Sequence, residues 1–212
     1  MLFDVDGTLV DTNYLHTVAW SRALSDAGEW APMNAIHRLV GMGGDQLVPE
    51  VLGHPCEAAR RRRGERYREI MGEARVFPGA GALLQKCSAA GLRVVLASSA
   101  PLGELEVMRQ LIDADPAIDA QTTGDEVGSS KPAPDVFVEA MRAGGIDPAR
   151  ALAVGDSVWD IRAARAAGIG CIAVETGGFS QHELGEAGAR HVYRDVQELL
   201  EQFSTSPLHA LL

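Results

Sequence analysis

The chain has 212 residues, 46% hydrophobic and 23% charged, a composition typical of soluble globular proteins and sufficient for a sizeable core. A net charge of -10 and a pI near 5.0 set the average surface against a nucleic-acid backbone, so no nucleic-acid partner is expected. The apolar runs are too short to span a bilayer, no basic segment leads into a signal-like stretch, and Cys56, Cys87 and Cys171 lack the spacing of a zinc or disulfide framework; a cytoplasmic enzyme without a membrane partner is expected.

In chain order, Leu2 to Val5 reads as a strand ending in the polar cluster Asp4-Val5-Asp6-Gly7-Thr8. Only Met1 to Phe3 precede Asp4, short against the usual five or six or so residues of a strand, so the natural start is expected to lie upstream. From Thr12 to about Val76 the pattern turns helical: Tyr14 to Ala27 closed by Gly28, Asn34 to Val40, the Gly41-Met42-Gly43-Gly44 turn, Asp45 to Leu52, and the Arg-rich Glu57 to Met71. The block Arg60 to Arg63 reads as a solvated helix face. After Phe77-Pro78-Gly79, strands are predicted over Leu92 to Ala97, Ala151 to Val154, Cys171 to Val174 and His191 to Tyr193. Helices are predicted over Ala80 to Ala90, Pro101 to Ile112, Pro134 to Ala143, Val158 to Ala167 and Val196 to Phe203, with Ser204 to Leu212 as a loose tail. Alternating strands and helices imply an α/β fold, a doubly wound parallel sheet with a helical insertion.

Three of the strands end in polar clusters, namely Asp4 to Thr8, Ser98-Ser99 and Gly155-Asp156-Ser157, and ligands of open α/β sheets bind outside the carboxyl ends of strands. On a regular strand Asp4 and Asp6 share a face, and two carboxylates that close require a cation or a shared proton. A hard divalent metal suits them; a plain Asp-Gly turn is the structural alternative for Asp6-Gly7. Asp156 either joins that metal site or caps the following helix, and Asp160 acts through water or by orienting its neighbours. Ser98 and Ser99 either receive a phosphate at the start of a helix or serve as simple caps. Lys131, in a proline-bounded loop, is either solvated or the cation that four acidic groups and a phosphate would call for.

Taken together, Asp4-Val5-Asp6-Gly7-Thr8, Ser98, Lys131 and Gly155-Asp156-Ser157 with Asp160 resemble, in order and spacing, the four motifs of the haloacid dehalogenase superfamily. The insertion after the first motif resembles the helical cap of the phosphoglycolate phosphatase and β-phosphoglucomutase branch. The resemblance implies a Rossmann-like core over residues 1–12 and 77–212 and a cap over 13–76. It implies that Asp4 attacks phosphorus and that Asp6 is the general acid and base. Asp4, the Asp6 carbonyl and Asp156 would bind Mg2+, with Asp160 behind them. Ser98, Ser99, Lys131 and the amides of Gly7 and Thr8 would hold the phosphoryl group. His16, Gly43, Gly44 and Arg63 are candidate cap contacts to a small phosphorylated metabolite, and a monomer is the expectation by analogy. Phosphate ester hydrolysis through an aspartyl-phosphate is the reading this favours. A sugar phosphomutase is the alternative, suggested by Asp11-Thr12, His16, Trp20 and Arg63 before Tyr67. A receiver-like phosphoacceptor module is the distant one, because it would have no use for Asp6 or a cap.

Overall fold

The computed structural model describes residues 1–126 and 128–211; Val127 and Leu212, both inside the range expected for the core, lie outside the described residues. The described strands are β1 (Leu2–Phe3), β2 (Val10–Asp11), β3 (Arg75–Val76), β4 (Val95–Ala97), β5 (Ala120–Thr122), β6 (Leu152–Gly155), β7 (Gly170–Val174) and β8 (His191–Tyr193). Six of them form one sheet in the order β5-β4-β1-β6-β7-β8, and β2 and β3 form a separate two-stranded ribbon. Every pairing in the large sheet is parallel, with Leu2 opposite Val95 on one side and Ala153 on the other.

The chain divides into two compact units, one made of Met1–Asp11 with residues 76 onward, the other of Thr12–Arg75. The second unit holds α1 (Asn13–Asp26), α2 (Met33–Leu39), α3 (Gly44–Leu52) and α4 (Glu57–Ile70). The first holds α5 (Ala80–Ala89), α6 (Leu102–Ile112), α7 (Asp135–Gly144), α8 (Val158–Ala166), α9 (Gln181–Ala187) and α10 (Val196–Glu201).

In the first unit, Leu2, Val95, Ala97, Ala153, Cys171 and Ala173 pack with Phe137 and Ala140 of α7 and Ile161 and Ala164 of α8. The alternate strand residues Phe3, Leu96, Val154 and Ile172 are buried too, so both faces of the sheet are covered, as an all-parallel sheet requires. From β1 the chain winds outward through β4 and β5, then returns to β6, β7 and β8 on the other side. The switch point therefore lies between β1 and β6, the position at whose carboxyl ends open α/β sheets bind their ligands. The predicted loose tail is corrected: Phe203–Thr205 and His209–Leu211 form single turns, and Leu208 is fully buried.

The second unit has its own core, in which Trp20, Leu24, Ile36, Leu47, Val48 and Ala59 pack together. A smaller cluster joins Ala19, Tyr67 and Ile70 of α1 and α4. Gly44 opens α3 beneath the indole of Trp20, where an added Cβ would lie 2.6 Å from the ring. Along α4, Arg60, Arg61 and Arg62 are exposed as expected of a solvated face, whereas Arg63 is half-buried. No helix is long and apolar enough to cross a membrane among the described residues.

Candidate active site

Asp4 leaves β1 with its backbone still in the sheet, its N–H donating to the Val154 carbonyl at 2.9 Å. The chain then turns sharply, the Val5 carbonyl accepting from Leu9 at 2.9 Å and Val10 at 3.0 Å, and Gly7 takes the left-handed φ of 75° that the turn needs. The turn carries Thr8 back over the strand end. Its hydroxyl lies 3.1 Å from Asp4 Oδ2 and 3.0 Å from Asp156 Oδ1, the first residue beyond β6. One hydroxyl proton is thus shared between two carboxylates.

Lys131 supplies the opposite charge. Its Nζ donates to Asp4 Oδ1 and lies 2.7 Å from Asp160 Oδ1, and all three side chains are almost wholly buried. Burial alone would lower the lysine's pKa, but the Asp160 and Asp4 carboxylates outweigh it and hold the ammonium well above its ordinary value. Burial pushes the Asp4 carboxyl upward, Asp160, Asp156 and Asp6 push the same way, and Lys131 opposes them without reversing the direction.

Asp160 owes its place to α8. Ser157 is the N-cap and Asp160 the third helical residue of a capping box, in which Asp160 Oδ2 accepts from the Ser157 N–H at 3.1 Å and from its hydroxyl. The cap role considered for Asp156 therefore falls to Ser157. Gly155 makes room for this arrangement, since a Cβ there would come within 2.4 Å of the Asp160 side chain.

Asp4, Asp156 and Asp160 can each present one oxygen within 4.8 Å of the others, all three buried. Three carboxylates against one ammonium leave a net negative charge in a dry site, a donor set that fits a hard divalent cation. Asp160 Oδ2 is held by Ser157, while Oδ1 forms an ion pair with Lys131 whose geometry is not that of a hydrogen bond, an arrangement that suits Asp160 to orienting the lysine. Asp6 is only half-buried and is not one of these three carboxylates.

The other predicted residues fall as follows. Ser98 is fully buried at the end of β4, its Oγ accepting from the Ala100 N–H at 3.0 Å and its own proton left to donate. Ser99 Oγ is buried without a hydrogen-bond partner among the described residues. The α6 N-cap is Pro101, so neither serine caps that helix. The Gly7 N–H donates to the Val10 carbonyl at 2.8 Å and the Thr8 N–H to Val5 at 3.3 Å, so both amides are directed into the turn.

Within the helical unit, Arg63 donates to His16 Nδ1 at 2.6 Å. The His16 ring stacks on Tyr67 at 4.2 Å between centroids. Because a guanidinium only donates, this contact requires a lone pair on Nδ1, and therefore the Nε2–H tautomer. Gly43 caps α3 and Gly44 serves close packing against Trp20.

Two site residues are absent from the sequence reading, Thr176 and Gly177, in the short turn Glu175–Gly177 after β7. Thr176 Oγ1 donates to the Gly7 carbonyl at 2.6 Å, and a Cβ on Gly177 would lie 2.3 Å from both Asp156 O and Asp156 Oδ2. The signal was available, since Glu175-Thr176-Gly177 is a polar cluster ending a strand like the other three.

A parallel sheet that gathers buried carboxylates, a lysine and hydroxyls at its switch point defines an α/β enzyme of the kind that handles an anionic group beside a cation. More particularly, the family model for haloacid dehalogenase-like hydrolases matches residues 1–168, and the chain belongs to that family. It is 33% identical over 199 residues to protein CbbY of Cereibacter sphaeroides, covering 86% of each chain. It is 31% identical to the phosphoglycolate phosphatase of Rhodospirillum rubrum, over 94% of this chain and 88% of that one. Among solved structures, a hydrolase from Pseudomonas syringae superposes with a TM-score of 0.89 at 30% identity, covering 96% of this chain and 97% of the other. CbbY from Rhodobacter sphaeroides in complex with xylulose-(1,5)bisphosphate superposes with a TM-score of 0.76 at 30% identity, covering 93% and 94%.

Proposed function

We propose that this enzyme is a Mg2+-dependent phosphatase that hydrolyses a small phosphorylated sugar or sugar acid through an aspartyl-phosphate on Asp4. The observation that carries this reading is the buried cluster in which Lys131 joins Asp4 to Asp160 and Thr8 joins Asp4 to Asp156. Phosphoryl transfer needs positioned charge more than covalent chemistry, and a fixed carboxylate flanked by a fixed ammonium supplies it. The phosphoglycolate phosphatase relative and the sugar bisphosphate complex support the substrate class.

In this mechanism an Asp4 carboxylate oxygen attacks phosphorus as the bond to the ester oxygen breaks, and Asp6 gives its proton to that oxygen. Asp6, now a carboxylate, takes a proton from the water that attacks the phosphorus of the aspartyl-phosphate, releasing inorganic phosphate and restoring Asp4. Lys131 and the Ser98 hydroxyl hold the phosphoryl oxygens, and Asp160 keeps Lys131 in place. Mg2+, held by Asp4, the Asp6 carbonyl and Asp156, would neutralise part of the charge gathered there. The half-exposed position of Asp6 suits a group that must meet both leaving oxygen and water. The unit of residues 12–75 would serve as the cap, with His16, Arg63 and the turn at Gly43 and Gly44 as its candidate substrate contacts.

Phosphate release from phosphoglycolate, sugar mono- and bisphosphates and an aryl phosphate, with Mg2+ or with EDTA, tests the reading. Release is expected only with Mg2+, and Asp4→Asn is expected to lower it by at least ~1000-fold while leaving the fold intact. Substantial turnover by the Asn variant, or metal-independent release, would refute it. Glucose 6-phosphate formed from β-glucose 1-phosphate with little free phosphate would instead assign the chain to the mutases.

A further inference from the structure

The turn after β7 touches both halves of the site. In the sheet order β7 lies beyond β6, two strands from β1, yet its turn Glu175–Gly177 reaches back over the end of β6 to the loop that follows β1. Two contacts define that reach: Thr176 donates to the Gly7 carbonyl at 2.6 Å, and the Gly177 backbone lies so near Asp156 that a Cβ would fall 2.3 Å from a carboxylate oxygen.

The Gly7 carbonyl belongs to the peptide plane that leads into Thr8. Within the loop this plane is held through the Thr8 N–H, whose bond to the Val5 carbonyl is a long 3.3 Å. A glycine with φ of 75° has other backbone basins within reach, so a restraint from outside the loop adds to a weak internal one. Rotation of the plane would move the Thr8 hydroxyl away from the point where it meets Asp4 Oδ2 and Asp156 Oδ1. The Thr176 hydroxyl is an external restraint on that plane, and its β-branched side chain has few rotamers to lose in making the bond.

We propose that Thr176 is a positioning residue for the reaction and that Gly177 is its obligatory neighbour: together they lock the nucleophile loop against Asp156. This rests on the phosphatase reading, because the loop matters only if Asp4 and Asp6 carry the chemistry. Thr176 itself touches no reacting atom. Its loss should therefore lower kcat, through misplacement of Asp4, Asp6 and Thr8, with KM for the ester little changed. One hydrogen bond of ordinary net strength corresponds to about a 3- to 10-fold effect. Thr176→Ser keeps the donor and Thr176→Val removes it at nearly constant shape.

The experiment compares the parent, Thr176→Ser and Thr176→Val in three measurements: steady-state aryl phosphate hydrolysis at saturating Mg2+, the thermal unfolding midpoint, and calorimetric binding of tungstate, which can take a fifth oxygen ligand as phosphorus does in the transition state. The expected result is a kcat about 3- to 10-fold lower for Thr176→Val at unchanged KM, near-parental kcat for Thr176→Ser, and midpoints within about 5 °C of each other, all far above the assay temperature. Tungstate should bind about 3- to 10-fold more weakly to the Val variant only. Parental kcat in Thr176→Val, an equal loss in both variants, or a loss that simply tracks a lowered midpoint would overturn the proposal. If the parent hydrolyses no ester at all, the phosphatase reading fails instead. Tungstate binding then decides the restraint on its own: weakened binding in the Val variant alone sustains it, and equal binding in all three rejects it.

Discussion

Removing the Lys131 ammonium would leave Asp4 and Asp160 buried with no counter-charge from the protein, and uncompensated buried charges cost several kcal/mol. Lys131→Met is accordingly expected to destabilise the metal-free protein by about 3–5 kcal/mol in urea denaturation, and adding Asp160→Asn to recover part of that loss. A parental midpoint for the single variant would mean that the carboxylates do not depend on the lysine. The same residues show what the sequence could disclose. Asp4 and Asp156 stood out because carboxylates at strand ends are chemically conspicuous, and Lys131 because so many acidic groups beside a phosphate call for a cation. Thr176 and Gly177 escaped, although they too end a strand, because their importance lies in contacts: Thr176 with the Gly7 carbonyl, 169 positions earlier in the chain, and Gly177 with Asp156 at the end of the neighbouring strand.

The capping box of α8 joins helix stability to the site, whereas the capping box of α9, formed by Ser180 and Glu183, is exposed and contains none of the site residues. Ser157→Ala and Ser180→Ala should each lose about 1 kcal/mol of stability by thermal unfolding. Only Ser157→Ala should also lower kcat, because it removes one of the two bonds that fix Asp160 Oδ2 behind Lys131, leaving the backbone N–H alone to hold it. Equal activity in the two variants would detach α8 capping from catalysis. Strongly patterned elements were legible within a few residues: the predicted strand His191 to Tyr193 is β8 itself, and Glu57 to Met71 ends one residue beyond α4. The misses have physical causes. The strand β5 reads Ala-Gln-Thr at the sheet edge, with two of its three residues only partly buried, so it lacks an apolar run. The helix α9 was announced by Ser180 and Glu183 three apart, but its apolar stripe reduces to the single buried Leu184. The strand predicted from Leu92 begins only at Val95 because Leu92 N–H closes the preceding turn on Cys87.

Across the whole molecule, a net charge of -10 already disfavours the compact state, and the carboxylate cluster concentrates part of that repulsion at one point. Mg2+ at a hundred times its dissociation constant is expected to stabilise the fold by about 2.7 kcal/mol. For a chain of this length that raises the unfolding midpoint by roughly 5–10 °C over EDTA. Hydrogen exchange should place the added protection around the ends of β1 and β6, leaving α2 and α3 unaffected. Identical midpoints in Mg2+ and EDTA would remove the divalent cation from the site.

The central place of β1 also bears on synthesis. Within this sheet the earliest strand to be synthesised must wait for neighbours from far downstream: Leu2 pairs with Val95 on one side and with Ala153, about 150 residues later, on the other. At roughly 5–20 residues per second that is about 8 to 30 seconds during which the nascent chain carries Leu2 and Phe3 with no partner on the β6 side. The loop of Asp4 to Thr8 cannot meet Asp156 before then, so the carboxylate cluster is assembled only after β6 has emerged to close the middle of the sheet.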